Sequence, residues 1–354
     1  MATARPCGVY NQGYDQELIV VRTKTQWALL FLGLIFLFTL PLYTSSTVLT
    51  LVNHIAVTLI AVYGLHILMG YCGQISIGQT AFVAVGAYVT AILTTELGFS
   101  FWAAFPCAVL SAGLAGVIFG LPALRIKGFY VAMATIAAQF IIPWIIAHVR
   151  TDITGGYSGI SVPPITVMGN PLLGSESMFY VIIPVLLLAI YFSVNLRRSR
   201  IGRAFIAIRD NDLAAEAMGV NIFRYKLIAF FICSAYAGAS GALWAQWLRA
   251  LTPGTFTLEG SVFYLGMLVI GGLGSNAGVC FGTIFVMLIN DLSRSFLAPA
   301  LGSSLGMSSV SVASAVGPLF FGLIVLLFLK FEPRGLAHRW EQFKVSYRLN
   351  PFAN

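Results

Sequence analysis

Residues 48–69 read VLTLVNHIAVTLIAVYGLHILM and are followed at once by GYCGQISIGQT at residues 70–80. The first stretch holds 22 residues without Asp, Glu, Lys or Arg, and about 20 mostly apolar residues carry a helix across a bilayer. The second stretch interrupts that helix with glycines at 70, 73 and 78, again without charge. This pattern predicts a transmembrane helix that ends in an uncharged, glycine-rich break.

The composition extends this pattern to the whole chain. Of 354 residues, 58% are hydrophobic and only 9% are charged, whereas a soluble domain carries roughly 25% charged residues. A soluble enzyme, a nucleic-acid binder and a disordered scaffold are therefore poor interpretations. The charge-free windows predict an all-α polytopic membrane protein of roughly ten transmembrane helices. The predicted spans are 27–43, 48–69, 79–95, 101–122, 129–148, 178–196, 227–247, 260–272, 277–297 and 316–330.

The basic residues orient these spans. With ten spans and the N-terminus inside, 17 Lys and Arg fall in inner segments, and only Arg150, Arg249 and Arg294 fall outside. Excess Lys and Arg mark cytoplasmic loops, so both termini are predicted to be cytoplasmic. The predicted domains are a cytoplasmic arm (1–26), a transmembrane permease domain (27–330) with a cytoplasmic loop at 197–226, and a cytoplasmic tail (331–354).

Two uncharged connections are candidates for a transport path. Segment 70–80 and segment 271–278 (GGLGSNAG) share the same chemistry and lie in corresponding halves of the chain. Glycine-interrupted apolar segments in both halves indicate a solute site near mid-membrane, although small residues also serve tight helix packing. Both interpretations stay open. The candidate path residues are Gly73, Gln74, Ser76, Gly78, Gln79, Gly272, Gly274 and Asn276.

Loop 197–226 is the longest charged segment between spans. Residues 213–218 (LAAEAM) are predicted to form a short helix, with Asp212 as its N-cap and Gly219 in the left-handed position that ends it. So short a helix is marginal in water by itself. Either a surface of this chain or the groove of a partner holds it, or the segment is a solvated basic loop.

Several kinds of chemistry are missing from the sequence. No GK dipeptide occurs, so a phosphate-binding loop is excluded and any nucleotide must bind another chain. The four histidines are far apart and no HExxH is present, which argues against a metal site. Asp291 and Arg294 stand three residues apart near the outer end of a span. A mutual ion pair explains them, with a gating role as the alternative.

Four stretches resemble a known family: 70–88 (GYCGQISIGQTAFVAVGAY), 198–230 (RSRIGRAFIAIRDNDLAAEAMGVNIFRYKLIAF), 269–285 (VIGGLGSNAGVCFGTIF) and 331–340 (FEPRGLAHRW). They are similar to the permease subunits of ABC importers for branched-chain amino acids, in particular to the member with the longer N-terminal region. The resemblance covers nearly the whole chain from about residue 50. It implies the ABC importer permease fold and a coupling helix at 210–219. The residues assigned to coupling are Arg203, Arg209, Asp210, Asp212, Glu216, Ala217 and Gly219.

The resemblance also implies an assembly. Its parts are a second homologous permease subunit, two cytoplasmic ABC ATPase subunits that bind ATP and magnesium, and a periplasmic or extracellular substrate-binding protein. This chain itself would bind no cofactor and no nucleic acid, and would lie in lipid in the inner membrane of a bacterium or archaeon. The outer loops 149–177 and 298–315 are candidates for facing the soluble partner.

The substrate does not follow from the resemblance. Branched-chain amino acids are the first expectation, but the same importer type includes permeases for urea, short amides and aromatic carboxylates. A secondary carrier or channel is the alternative class and would need no ATPase. A membrane-embedded enzyme would require clustered acids, bases or metal ligands at one depth, and the sequence shows none.

Overall fold

The computed structural model describes residues 24–124, 130–167, 170–172, 174–293, 295, 299, 309–332 and 335–349. Helices dominate this part of the chain. They are α1 (Lys24–Tyr43), α2 (Ser46–His66), α3 (Gln79–Thr95), α4 (Phe101–Leu124), α5 (Tyr130–His148), α6 (Thr151–Thr154), α7 (Ser175–Arg198), α8 (Arg200–Asp210), α9 (Asp212–Ala217), α10 (Ile222–Leu248), α11 (Leu258–Gly271), α12 (Asn276–Leu292), α13 (Ser309–Phe331) and α14 (Leu336–Leu349).

A helix lies at each of the ten predicted spans, which confirms the all-α membrane architecture. Within the described ranges, six helices are long and apolar enough to cross a membrane, or seven if α13 and α14, which meet at a 46° bend, count as one span. Three shorter apolar helices fill the remaining places: Trp27–Tyr43, Gln79–Thr95 and Asn276–Leu292. The exact number of spans, and the side on which each terminus lies, stay predictions.

Helix α10 occupies the centre of the bundle, where α2, α3 and α4 pack against it. Small residues allow this close packing, as is usual between membrane helices. A Cβ on Gly241 would lie 2.0 Å from the carbonyl oxygen of Val83, and one on Gly238 would lie 2.6 Å from the Cβ of Ala112. Large side chains at these two positions would force the central helix away from its neighbours.

The apolar helices present large side chains on the outside of the bundle. On α1, for example, Leu29 is 69% exposed and Phe36 is 67% exposed. A soluble protein does not leave such a surface uncovered, so these side chains face lipid. Among the described elements, α1 packs mainly against α7, where the Tyr180 hydroxyl donates to the carbonyl oxygen of Phe38 at 3.4 Å.

Short strands close one end of the bundle. Strand β1 (Ile160–Ser161) pairs antiparallel with β4 (Ala250–Leu251), and β2 (Thr166–Val167) pairs with β3 (Asn170–Pro171). Arg249, which ends α10 at φ 58°, donates from its guanidinium to the carbonyl oxygen of Leu172 at 2.7 Å. We call this the outer end, because it carries the predicted outer loop 149–177. The opposite end, which carries loop 197–226, is the inner end.

Irregular backbone precedes two helices, α3 and α11. Helix α2 continues into a π-helix at Ile67–Tyr71, and residues 73–78 are then irregular until α3 begins. A 3-10 turn at Pro253–Thr255 precedes α11, which has only 14 residues. Irregular backbone within a membrane bundle needs partners from protein or water, and those partners identify the polar side chains that matter.

The topology is tested by thiol labelling. Tyr157 is 72% exposed at the outer end, and Ala207 is exposed on α8 at the inner end. In a variant without the five native cysteines, we expect Tyr157→Cys to react with a membrane-impermeant maleimide on intact cells. Ala207→Cys should react only after lysis, because loop 197–226 carries the basic excess of an inner loop. Labelling of position 207 on intact cells would contradict the predicted orientation.

Candidate functional site

The loop at the inner end folds into two helices, the second close to the predicted position. Helix α8 begins after Ser199, whose side chain accepts from the amide of Gly202, and helix α9 begins after Asn211. The side-chain oxygen of Asn211 accepts from the amide of Ala214 at 3.1 Å. The prediction that Asp212 caps this helix is therefore wrong. Asparagine caps as well as aspartate, and the residue one position earlier has the extended backbone that a cap requires.

Asp212 has a different role, which is to anchor the helix. Its carboxylate accepts from the ammonium of Lys226 at 3.0 Å, and Lys226 is only 8% exposed. On the same side, Ala215 is buried in an apolar cluster with Phe205 and Ile208 of α8 and with residues of α10 and the π-helix. Helix α9 is thus fixed to its own protein along one face, which answers how so short a helix persists.

The opposite face of α9 is open. Leu213 is 67% exposed, Met218 is 86% exposed, and Glu216 and Ala217 are exposed with them. Gly219 ends the helix at φ 84°, as predicted, and its amide donates to the carbonyl oxygen of Glu216 at 2.9 Å. The result is two exposed apolar side chains and one carboxylate, presented by a fixed helix and by Met218, which follows it.

Two of the three carboxylates assigned to coupling form ion pairs within the chain. Asp210 accepts from the neighbouring Arg209 guanidinium at 2.9 and 3.0 Å, and Asp212 is paired with Lys226. Only Glu216 of the three predicted carboxylates forms no ion pair in the part of the chain that the structure describes. The other arginine assigned to coupling, Arg203, donates to the carbonyl oxygen of Arg198 at 2.9 Å.

Arg209 joins the loop to both glycine-rich segments. Its Nη1 donates to the carbonyl oxygen of Gly70 at 2.8 Å. A Cβ on Gly73 would lie 2.9 Å from Cγ of Arg209, and one on Gly274 would lie 3.5 Å from its Nη1. Both glycines have positive φ, 72° and 89°. The structure therefore brings together Gly73, Gly274 and Arg209, which lie far apart in sequence.

The membrane depth of the glycines stays a prediction. The continuous helix from Ser46 to Tyr71 has 26 residues, a length of about 39 Å at about 1.5 Å per residue. That already exceeds the ~30 Å hydrocarbon thickness. Gly73 follows the end of this helix, and both Gly73 and Gly274 lie beside Arg209 of the predicted inner loop.

Other residues of the first glycine segment serve the bundle's packing. Gln79 is fully buried. Its amide donates to the carbonyl oxygen of Ala61 at 2.8 Å, and its carbonyl accepts from the Cys233 thiol at 3.2 Å. A Cβ on Gly78 would lie 2.3 Å from the carbonyl oxygen of Thr135. Gln79 and Gly78 therefore fit the packing interpretation. By contrast, Gln74 is half-buried, and Ser76 is buried with a hydroxyl that has no partner among the described residues.

The second glycine segment also contains both packing residues and residues that make polar contacts. Gly272 has φ 104°, and its Cα lies 2.5 Å from where a Cβ on Gly335 would be, so the tail packs directly on it. Asn276 makes polar contacts instead. Its side-chain oxygen accepts from the Tyr71 hydroxyl at 2.7 Å, and its backbone oxygen accepts from the Tyr63 hydroxyl at 2.9 Å. Asn276 thereby connects the two segments.

Sequence reasoning missed a buried polar cluster around Gln139. The Gln139 carbonyl oxygen accepts from the Ala81 amide at 3.0 Å, the Thr80 hydroxyl at 2.8 Å and the Ser261 hydroxyl at 2.9 Å. Its amide donates to the Phe256 carbonyl oxygen at 3.0 Å. One side chain thus holds the start of α3 and the irregular backbone before α11. The available signal was a lone glutamine within the apolar stretch 129–148.

Two further predictions lie partly outside the described residues. Arg294, the suggested partner of Asp291, falls there, as do residues 298 and 300–308 of the predicted outer loop 298–315. The N-terminal arm is described only from Lys24 onward. The other predicted outer loop, 149–177, carries α6, a 3-10 turn and the strands β1 to β3.

The bundle consists of apolar helices around a core of small residues. Uncharged breaks interrupt its helices, and a short, capped helix of the inner loop is exposed beside them. These are the features of a membrane permease. The family described as "Branched-chain amino acid transport system / permease component" matches residues 47–329. The chain belongs to this family.

Individual relatives agree with the assignment. The chain is 31% identical over 297 residues to the high-affinity branched-chain amino acid transport system permease protein LivM of Escherichia coli K12, a match covering 77% of this chain and 66% of that protein, just under two thirds. It is 26% identical to the probable LivM of Methanocaldococcus jannaschii, covering 73% and 71%. It is also 25% identical to the guanosine ABC transporter permease protein NupQ of Bacillus subtilis, covering 56% and 67%. No solved structure matches the chain.

The Gln139 cluster yields a stability prediction. Gln139→Leu leaves the Ala81 amide and the Phe256 carbonyl without their partner, and each buried polar group left unpaired costs roughly 1–3 kcal/mol. We expect the purified protein to unfold at a clearly lower temperature in a thermal melt. Gln246→Leu is the matched control, since Gln246 is 1% exposed and its side-chain oxygen has no partner among the described residues. Equal melting temperatures for the two variants would contradict the stabilising role of Gln139.

Proposed function

We propose that this chain is one permease subunit of an ATP-driven importer and forms half of the passage for a small polar or zwitterionic solute. The observation that carries the proposal is helix α9, fixed by Ala215 and Asp212 on one side and exposed at Leu213 and Met218 on the other. A short helix with an apolar exposed face fits a groove in another protein. The sequence contains no phosphate-binding loop, so the proposal places the nucleotide on that other protein.

The partners follow from this assignment. Two cytoplasmic ATPase subunits bind ATP and magnesium, and one of them receives α9. A second, homologous permease subunit completes the passage, and a soluble binding protein docks on the outer end. Both termini of this chain are cytoplasmic, and the protein lies in the inner membrane of a bacterium or archaeon. The chain is a transporter subunit and not an enzyme.

The coupling residues now have separate physical roles. Leu213, Met218 and Ala217 supply the apolar contact, Glu216 supplies the charge that orients the helix in the groove, and Gly219 ends the helix. Arg209 passes displacement of the loop to the glycine-rich breaks through its bond to the Gly70 carbonyl oxygen.

Branched-chain amino acids are the proposed substrates. The relatives named LivM support this choice, whereas the relative named for guanosine shows that substrates differ among similar permeases. Neutral polar groups at the inner breaks, such as Gln74 and Asn276, suit a zwitterion, because full charges would bind it tightly and cost free energy to desolvate.

Reconstitution tests the proposal. The chain, its partner permease, the two ATPases and the binding protein from the same gene cluster are placed in liposomes, and uptake of labelled leucine is measured with and without internal ATP. We expect uptake that needs both ATP and the binding protein. Competition by unlabelled valine, urea, short amides and benzoate then ranks the substrate classes. Uptake without ATP would favour a carrier or channel.

The exposed face of α9 gives a first prediction for coupling. Leu213→Asp places a charge where the groove buries an apolar side chain. A central apolar contact is worth about 1–2 kcal/mol or more, so we expect at least a tenfold loss of ATPase co-purification. The protein itself should remain in the membrane, because Leu213 is 67% exposed in the isolated chain. Leu213→Met is the control and should retain the ATPase. Normal assembly of Leu213→Asp would contradict the docking assignment.

The end of α9 gives a second prediction. Gly219 has φ 84°, and a Cβ added at this position would meet nothing within 4 Å, so a substitution acts through backbone conformation alone. Proline fixes φ near −65° and asparagine tolerates the left-handed region. We expect Gly219→Pro to abolish coupled uptake and Gly219→Asn to retain most of it. Equal uptake by the two variants, at equal membrane levels, would show that the geometry of this turn does not matter.

A further inference from the structure

His66 is the last residue of helix α2, at the point where the π-helix begins. Its side chain is fully buried, and neither Nδ1 nor Nε2 has a hydrogen-bond partner among the described residues. Buried polar side chains almost always have partners, and an imidazole always carries at least one donor. Leaving both ring nitrogens unpaired costs stability that an apolar residue of similar size would not cost.

The surroundings of the ring are built to hold it. The imidazole packs edge-on against Tyr71, with centroids 4.7 Å apart, and against Tyr63 at 6.4 Å. The hydroxyl groups of both tyrosines are directed to Asn276 and not to the ring. The Asn276 side chain interacts with the imidazole, but its oxygen already accepts from Tyr71, and no hydrogen bond of normal geometry reaches either ring nitrogen among the described residues.

Gly70 makes room for the imidazole. A Cβ at position 70 would lie 2.7 Å from Nδ1 of His66, and 3.2 Å from the amide of Gly274. The ring therefore sits where the two glycine-rich segments meet. The Gly70 carbonyl oxygen is the same one that accepts from Arg209. Arg209 of the inner loop therefore contacts the same residue that lies against the ring, and π-helical turns often mark functional positions.

We propose that His66 is a solute-contacting residue of the inward passage. The structure is a closed arrangement in which Gly70, Tyr71 and Asn276 cover the imidazole. When the inner loop pulls on Gly70, the ring is uncovered and forms hydrogen bonds with the ammonium or amide group of the passing solute. A neutral imidazole offers one donor and one acceptor, which suits a zwitterion or an amide and binds neither tightly. This inference rests on the proposed function and adds the contact residue.

Two substitutions separate a transport role from packing. His66→Leu keeps an apolar body and removes the unpaired nitrogens, so we expect equal or higher thermal stability, retained ATP hydrolysis and at least a tenfold loss of leucine uptake. His66→Gln restores a donor and an acceptor, and we expect it to recover at least a third of wild-type uptake. His54→Leu is the control for loss of a histidine from the same helix, where His54 lies against Trp244 and Trp247, and it should leave the KM for uptake unchanged.

The outcomes distinguish the proposed function of the complex from the role of His66. Absence of ATP-dependent uptake by the wild-type complex would contradict the proposed function itself. Normal uptake by a stable His66→Leu variant would overturn the role of His66 alone. A joint loss of stability and uptake in both the Leu and Gln variants would show that His66 is a packing residue, and would overturn the proposal as well.

Solute protection tests the contact directly. In a variant without native cysteines, His66→Cys should react with a small thiol reagent applied from the inner side during ATP turnover, and much more slowly in its absence. Saturating leucine should slow the reaction at least threefold. Labelling that does not depend on turnover, or that leucine does not slow, would contradict the proposal.

Discussion

The hydrocarbon interior of a bilayer offers no water to an unpaired amide or carbonyl, so every break in a membrane helix needs partners from the protein or from a water-filled cavity. This constraint governs the arrangement of the chain. The break before α3 is held by the Thr135 hydroxyl, which accepts from the Ile77 amide at 3.0 Å, and the start of α3 is held by Gln139. Gln139 also holds the irregular backbone before α11. The side chains of Thr135 and Gln139 therefore form hydrogen bonds with backbone groups.

The same constraint separates packing residues from candidates for transport. The side-chain amides of Gln79 and Gln139 are hydrogen-bonded inside the bundle, and a side chain at Gly78 would collide with its neighbours. Arg209 and His66 are different. Arg209 reaches from an exposed loop to a backbone oxygen of the bundle, and His66 is buried without a hydrogen-bond partner among the described residues. The two meet at Gly70, so the part of the bundle that contacts the loop is also a part with an unsatisfied polar group.

The sequence predicted the helices, the short helix of the inner loop and the left-handed Gly219, because these depend on apolar length, charge placement and local backbone preference. It did not predict that Asn211 is the cap, since two neighbouring residues have equal capping ability and tertiary contacts decide between them. The ion pair between Asp212 and Lys226 is such a contact. The contact of Gly73 and Gly274 with Arg209 was not predicted either, because these residues lie far apart in sequence. Gln139 and His66 were missed, because the value of a lone polar residue in an apolar span depends on which groups the fold brings to it.

We propose that displacement of the inner loop reaches the passage through the contact between Arg209 and the first glycine segment. Replacing Arg209 measures this contact directly, since Arg209→Ala removes the donor to the Gly70 carbonyl oxygen and leaves the exposed Leu213 and Met218 in place. In the reconstituted complex we expect Arg209→Ala to retain ATP hydrolysis by the partner subunits and to lose leucine uptake by about tenfold or more, as expected for a lost charge-assisted hydrogen bond, whereas Arg209→Lys keeps a donor and part of the uptake. Normal coupled uptake by Arg209→Ala, at equal membrane levels, would contradict this role of the contact.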